Sequence, residues 1–198
     1  MEAMEKNTYL LVCGAIAREV LAVIEANGWT HLEVQALPAI MHNHPDQIPA
    51  RVDEKLTAVA GQYAHLLVGY ADCGTGGMLE PVLEKHGATR LAGPHCYSFF
   101  AGADVFDSLA DDELGTFYLT DYLVRQFDTV FWKSMGLDRF PELLPMYFGH
   151  YKKVVYLAQI PDPELDKIAE DAAARLGLAY ERMDTGLKPF DQALSRLM

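Results

Sequence analysis

Residues 65–77 read His65-Leu66-Leu67-Val68-Gly69-Tyr70-Ala71-Asp72-Cys73-Gly74-Thr75-Gly76-Gly77, an apolar run that stops at a glycine-rich turn. A short apolar run closed by turn residues is the pattern of a strand buried in a parallel sheet. Past the turn, Met78, Leu79, Val82 and Leu83 recur at helical spacing, Gly87 follows as a stop, and Thr89 to His95 forms a second strand ending at Cys96. Strand, helix and strand within roughly thirty residues make a βαβ crossover. Glycine just past a helix is its usual terminator.

Two further stretches repeat this order. From Tyr9 to Leu37 the chain has Tyr9-Leu10-Leu11-Val12 before Cys13-Gly14, a helix carrying Ala17, Val20, Leu21 and Ile24, a stop at Gly28, and the strand His31 to Leu37. A third unit begins at Val154-Val155-Tyr156-Leu157-Ala158, continues through Leu165, Ile168 and Ala172 to Gly177, and closes with Leu178 to Met183. The expected fold is α/β: three layers with a mainly parallel sheet built from three βαβ-like units. The domain expectation is a single α/β domain over residues 1–198, with an aromatic-rich helical insertion at about 101–151. That insertion holds Phe117, Leu119, Tyr122, Leu123, Phe127, Val130, Phe131 and Trp132, and reads as a lid, a dimer face or a core-packing block. A smaller insertion, Pro38 to Gln62, carries the polar loop Met41-His42-Asn43-His44-Pro45-Asp46 and then a helix with Ile48, Val52, Leu56 and Val59.

Composition narrows the classes of function. With 51% apolar residues the 198-residue chain has enough to build a sizeable core. A net charge of −12 and the lack of any basic run speak against nucleic acid, whose phosphates demand clustered Lys and Arg, and against an anionic membrane surface. The N-terminal apolar run is short and is followed by Arg18 and Glu19, so a secretory signal is not expected, and no segment has the length of a membrane span. The expected setting is cytoplasmic. Three cysteines there point to metal binding, reactivity or burial rather than to a disulfide framework.

All three cysteines, Cys13, Cys73 and Cys96, follow strand-like runs. In a parallel sheet, ligands bind outside the carboxyl ends of the strands, so thiols distant in sequence converge on one edge. In Asp72-Cys73-Gly74-Thr75-Gly76-Gly77 the glycines allow close backbone approach. A helix beginning near Met78 would offer N–H groups to an anion and favour the thiolate of Cys73. The cofactor-binding candidates are therefore Gly14, Gly74, Thr75, Gly76 and Gly77, although the Gly-Lys-Ser/Thr ending of a P-loop is absent. Cys13, Cys73 and Cys96 are the metal-ligand candidates. His42, Asp72 and His95 are the acid/base candidates, His42 or His95 doubling as a fourth ligand, with Tyr70, His44 and His150 as weaker ones.

No Cys-x-x-Cys pair occurs, which disfavours a zinc ribbon. Three thiolates from separate loops suit a 4Fe–4S cluster with one open iron, or alternatively a zinc with a fourth position for substrate. The functional expectation is a metal-centre protein, an enzyme of lyase/hydratase or methyl-transfer type acting on a small-molecule substrate. The alternatives are a non-catalytic accessory protein and a metal-free enzyme with Cys73 as nucleophile and His95 as base. A homo-oligomer is compatible with the aromatic block.

Leu11-Val12-Cys13-Gly14-Ala15, Gly69 to Gly77, His95-Cys96-Tyr97 and Gly115-Thr116-Phe117-Tyr118-Leu119-Thr120-Asp121 together resemble a prokaryotic family labelled only as a domain of unknown function (family 1638). Its members tend to be encoded near corrinoid-dependent methyltransferases. The resemblance implies one-carbon metabolism, with a corrinoid protein or a methyltransferase as partner. A carboxylate follows His-Cys-Tyr in the family pattern, where this chain has Ser98. A looser likeness, three α/β units and three cysteines, is to quinolinate synthase and the reductive isoprenoid enzyme, whose cysteines hold a 4Fe–4S cluster. This chain departs from them in having two cysteines in one unit and Gln159 at the matching place in the third.

Overall fold

Short β-rich runs separated by capped helices dictate the architecture. A computed structural model describes residues 6–112 and 115–198; residues 1–5 and 113–114 of the expected span lie outside them. The strands are β1 (Thr8–Cys13), β2 (Leu32–Leu37), β3 (His65–Gly69), β4 (Thr89–Arg90), β5 (Thr116–Thr120), β6 (Lys153–Ala158) and β7 (Ala179–Asp184). The α-helices are α1 (Ala17–Asn27), α2 (Ile48–Ala58), α3 (Glu80–His86), α4 (Cys96–Ala101), α5 (Ala103–Asp112), α6 (Asp121–Arg125), α7 (Leu144–Phe148), α8 (Pro163–Leu176) and α9 (Lys188–Ser195). Helices α1, α3 and α8 end at Gly28, Gly87 and Gly177, left-handed at φ 65°, 62° and 71°. That conformation costs glycine nothing and closes the last turn. Among the described residues no helix is long and apolar enough to cross a membrane.

Among the described residues all strand pairs are parallel, in keeping with an α/β reading, and they form two sheets: β2-β1-β3-β4 and β5-β6-β7. The first two βαβ units share the first sheet, and the third unit builds the second with β5 as its partner. The chain divides accordingly into two compact units, one comprising the residues up to Cys96 together with Phe190–Met198, the other Tyr97–Pro189. Within the stretch expected to be a helical insertion, Thr116-Phe117-Tyr118-Leu119-Thr120 is a strand in full register with β6. Its aromatic residues and flanking threonines suit a pleated surface, and the density of aromatics downstream makes the stretch read as mostly helical.

In the first unit Leu10, Leu11 and Val12 of β1 and Val68 of β3 are fully buried, as are Val20 of α1 and Ile48, Val52 and Leu56 of α2. Register aligns Cys13 with Leu37 and Val12 with Gly69, which fixes the carboxyl edge from which the candidate residues emerge. In the second unit Leu119, Val154 and Tyr156 pack with Leu165, Ala169 and Ala172 of α8. The aromatic block joins this core: Phe117 lies 4.9 Å from Phe131 and 5.4 Å, edge-on, from Phe148 between ring centroids. Packing is thus what most of these rings do. The buried Asp121 carboxylate, at the start of α6, accepts from the Tyr156 hydroxyl at 2.8 Å and from Gln159 N at 3.0 Å, and Gln159 Oε1 accepts from Asp121 N at 2.7 Å.

Candidate metal centre

Strand order decides what meets at the edge of the first sheet. Cys13 is the last residue of β1, Cys73 lies beyond β3, and Cys96 opens α4 beyond β4. Since β1, β3 and β4 are neighbours, the three thiols leave adjacent strands. His42 follows β2 on the other side, in a 3-10 turn spanning Ala39–Asn43. The loops are tied together: Asp72 N donates to the Gly93 carbonyl at 3.1 Å and Cys73 N to the Pro94 carbonyl at 3.0 Å. This pairing extends the β3–β4 ladder up to the residues that carry Cys73 and Cys96.

All three thiols are raised above their ordinary range, burial first. Burial pushes Cys13 up to about 12, opposed by the Ala15 N–H and reinforced by the Cys73 thiol. Burial pushes Cys73 up to about 11, with the Ala71 N–H and the Arg90 charge working the other way and the Asp72 carboxylate adding to the rise. Cys96 is raised well above its ordinary value, first by burial and then by the thiols of Cys73 and Cys13. As a residue Cys96 is half-buried, and its sulfur is crowded enough for burial to dominate. Each sulfur also has a backbone N–H turned toward it, of which Ala15 N to Cys13 Sγ, at 3.3 Å, is the clearest. Such N–H groups stabilise thiolate over thiol.

Cys73 stands at φ 51°, where no other non-glycine residue of the described chain is found. Left-handed backbone costs an L-residue roughly 1–2 kcal/mol, and strain of this kind collects at functional sites. Gly14 has a packing reason. It donates to the Leu37 carbonyl at 2.8 Å, and a Cβ there would sit 2.8 Å from that same oxygen.

The glycine-rich turn after β3 does something other than cradle an anion. The Asp72 carboxylate accepts from the Thr75 hydroxyl at 2.9 Å, Gly77 N at 2.9 Å and Gly76 N at 3.2 Å. The Gly77, Thr75 and Gly76 donors, the Gly77 N–H foremost, hold this carboxyl below its ordinary range. The N–H groups of the turn are thereby used by the chain itself, and Asp72 acts as the loop's clamp. Helix α3 begins only at Glu80, too far along to lower the Cys73 thiol, which is raised instead.

Of the histidines, His42 joins the thiols. Its Nδ1 lies 3.1 Å from the Ala39 carbonyl, which makes Nδ1 the protonated nitrogen, and the Cys13 sulfur lies 3.6 Å from Nδ1 and 4.0 Å from Nε2. Burial lowers its pKa, with the Ala39 carbonyl raising it and His95 lowering it further, so the ring stays neutral. His95 and His44 are exposed. Two residues that the motifs did not emphasise are also here. The buried Glu19 of α1 bears on the Cys96 thiol; it lies four residues before Val23 on the buried face of α1, the periodic signal that would have found it. Tyr70, 1% exposed, lies with its ring stacked on His42 at 6.2 Å and its hydroxyl toward Cys13.

Among the described residues no group of three or more His, Cys, Asp or Glu side chains is placed to hold a metal ion. Ligands around one zinc crowd within about 2.3 Å of it. The thiols share an electrostatic neighbourhood without that tight spacing.

A family model described as protein of unknown function (DUF1638) matches residues 36–194. The chain belongs to the DUF1638 family. The matched span takes in Cys73, Cys96, His42 and the Asp121 network, while Cys13 lies before it. No curated protein matches this DUF1638 chain. Among solved structures it is similar to ornithine carbamoyltransferase from Pyrococcus furiosus, at 13% identity and a TM-score of 0.31, over 91% of this chain and 55% of that one. The chain thus spans about half the length of that enzyme, and the overlap is too loose to carry over topology or activity.

Proposed function

We propose that the carboxyl edge of the first sheet is a three-thiolate metal centre, held by Cys13, Cys73 and Cys96, which serves an enzymatic step on a small molecule. The observation that supports this reading is the placement of three cysteines at the ends of three adjacent parallel strands, where Cys73 bears on the Cys13 thiol and both bear on Cys96. Buried thiols at these raised values are neutral, and a soft cation is what converts such a set to thiolates. The donor chemistry fits iron–sulfur or zinc. Three thiolates from separate loops suit a 4Fe–4S cluster with one open iron, with zinc as the alternative.

Each residue then has a task. The three cysteines hold the centre, the backbone N–H groups at their sulfurs sustain the thiolate charge, and three ligands leave one position for substrate. A bound centre of this kind supplies Lewis-acid polarisation of a hydroxyl or carbonyl oxygen. Neutral His42 beside Cys13 is placed to take or give a proton at Nε2. The clamped Asp72 organises the loop. A role in corrinoid-linked one-carbon metabolism goes with this reading on the strength of the family resemblance alone, and a cytoplasmic setting goes with the reduced thiols it needs.

Anaerobic purification with iron, sulfide and zinc analysis tests it. The expected outcome is metal bound in the wild type and lost when any of the three cysteines is changed to Ser. Equal, negligible metal in the wild type and in the triple Ser variant, after anaerobic reconstitution, would sink it. A metal-free nucleophile fits less well, because burial raises the Cys73 thiol and His95 lies exposed. The accessory reading, with a corrinoid protein or methyltransferase as partner, draws on the exposed Phe140, Met146 and Tyr147 of the second unit. Co-purification with a corrinoid protein in the absence of bound metal would favour it.

A further inference from the structure

The second unit gathers exposed apolar side chains into one short strip. Within residues 140–151, Phe140 and Met146 are 48% and 66% exposed, and Tyr147 and Tyr151 are exposed as well. The aromatic block from Phe117 to Trp132 packs against the core, and the strip follows it in sequence. A 3-10 turn, Pro141–Leu143, and helix α7 build the strip, each with proline in its first turn. Phe148, at the end of α7, is buried, 5.4 Å from Phe117 and 5.6 Å from Phe131 between ring centroids. Tyr151 lies 4.9 Å from Phe148. The strip is therefore anchored from beneath, and little freedom is left to lose when a partner docks on it. Methionine and aromatic side chains exposed together mark an interface.

Charge indicates which partner. Lys133, Asp138, Arg139 and Glu142 are all exposed, and among the described residues none of the four has an ion-pair partner. Arg139 lies over the Phe140 ring, 5.5 Å from its centroid. Elsewhere in this unit Arg175 pairs with Asp128 and Lys153 with Glu181. In residues 133–151 the two cations cancel the two carboxylates, while the whole chain carries −12. Two copies meeting through most of their surface would set like charge against like charge. This strip is free of that repulsion. A two-fold interface sets residue i of one copy against j of the other, and j against i. Unpaired ions of both signs beside an apolar centre are thus their own complement.

We propose that the strip from Phe140 to Tyr151 is the face through which two copies of this chain pair about a two-fold axis. Met146 and Tyr147 form its centre, and Arg139 is set against Glu142 of the second copy. This does not depend on the metal centre.

Sedimentation equilibrium of the full chain tests it. The wild type should be a dimer at micromolar concentration. Met146→Glu puts a charge into the apolar centre from both copies, and Arg139→Glu or Glu142→Arg sets like charges together twice. Each variant should weaken the dimer at least about tenfold. An equimolar mixture of Arg139→Glu and Glu142→Arg should recover the wild-type affinity, because both contacts of the mixed dimer are opposite in sign again. Recovery also shows that each variant folds. A monomeric wild type would overturn the proposal, and binding of a corrinoid protein to that monomer, lost in Met146→Glu, would give the strip to the accessory reading. A dimer indifferent to Met146→Glu would overturn the assignment of this face. No recovery in the mixture would overturn the two-fold arrangement of its charges.

Discussion

Cys73 shows how a single residue can carry backbone strain that another residue type would relieve. It holds φ 51° in a loop where four glycines lie within four residues of it on either side, so the chain had a strain-free residue type at hand and does not use it here. The side chain, not the backbone, is what the position keeps. Replacing Cys73 with Gly should therefore raise the stability of the metal-free protein by about 1 kcal/mol, through relief of the left-handed backbone, less what the thiol's packing contributed. Denaturant unfolding of the two metal-free proteins measures this. The same variant should hold no metal. A destabilised Cys73→Gly protein would mean that the thiol serves packing first.

At the scale of elements, the turn between β3 and α3 is the instructive case. Its Asp-Cys-Gly-Thr-Gly-Gly composition is legible as a tight turn at the end of a strand, and that much the structure contains. What composition does not reveal is which group satisfies the turn's N–H donors, because an external anion and the loop's own carboxylate present the same glycines. Asp72 fills the role internally, through Gly76, Gly77 and Thr75. Asp72→Ala should cost about 1–2 kcal/mol, the range of a lost cap-type carboxylate, whereas Asp72→Asn should keep most of the stability. Thermal unfolding of the two variants checks this, and equal losses would indicate that charge rather than hydrogen bonding holds the loop. The helices α1, α3 and α8 were equally legible, since apolar spacing and a terminal glycine are local signals. Strand β5 was not, because five residues without an apolar–polar alternation carry little information beside the helical run that follows. Division of the strands into two sheets was also hidden: a βαβ unit states that its own strands are parallel, and says nothing about which other units share its sheet. Tyr70 and Glu19 escaped emphasis because burial of a polar side chain beside a thiol is a tertiary fact.

For the molecule as a whole, the raised thiols turn the proposed centre into a statement about stability and pH. Cys13, Cys73 and Cys96 are neutral in the metal-free fold and have their pKa values raised by burial. The unfolded chain ionises its thiols at about pH 8.5, so above that value it releases protons that the fold retains. Stability is then fully present below about pH 8.5 and falls as pH climbs toward the folded values near 11 and 12. Under the proposed metal centre, loading would reverse the sign. Thiolate ligands must lose their protons to bind, so the loaded protein gains stability as pH rises through the neutral range, and its free energy of binding adds to that of folding. Unfolding temperatures of metal-free and reconstituted protein, measured from about pH 6 to about pH 10, should therefore diverge as pH rises. The triple Ser variant should lose both slopes, since it has no thiol to protect and no thiolate to offer. A metal-free protein as stable at alkaline as at neutral pH would show that the thiols ionise without penalty, and burial could not then be what keeps them protonated.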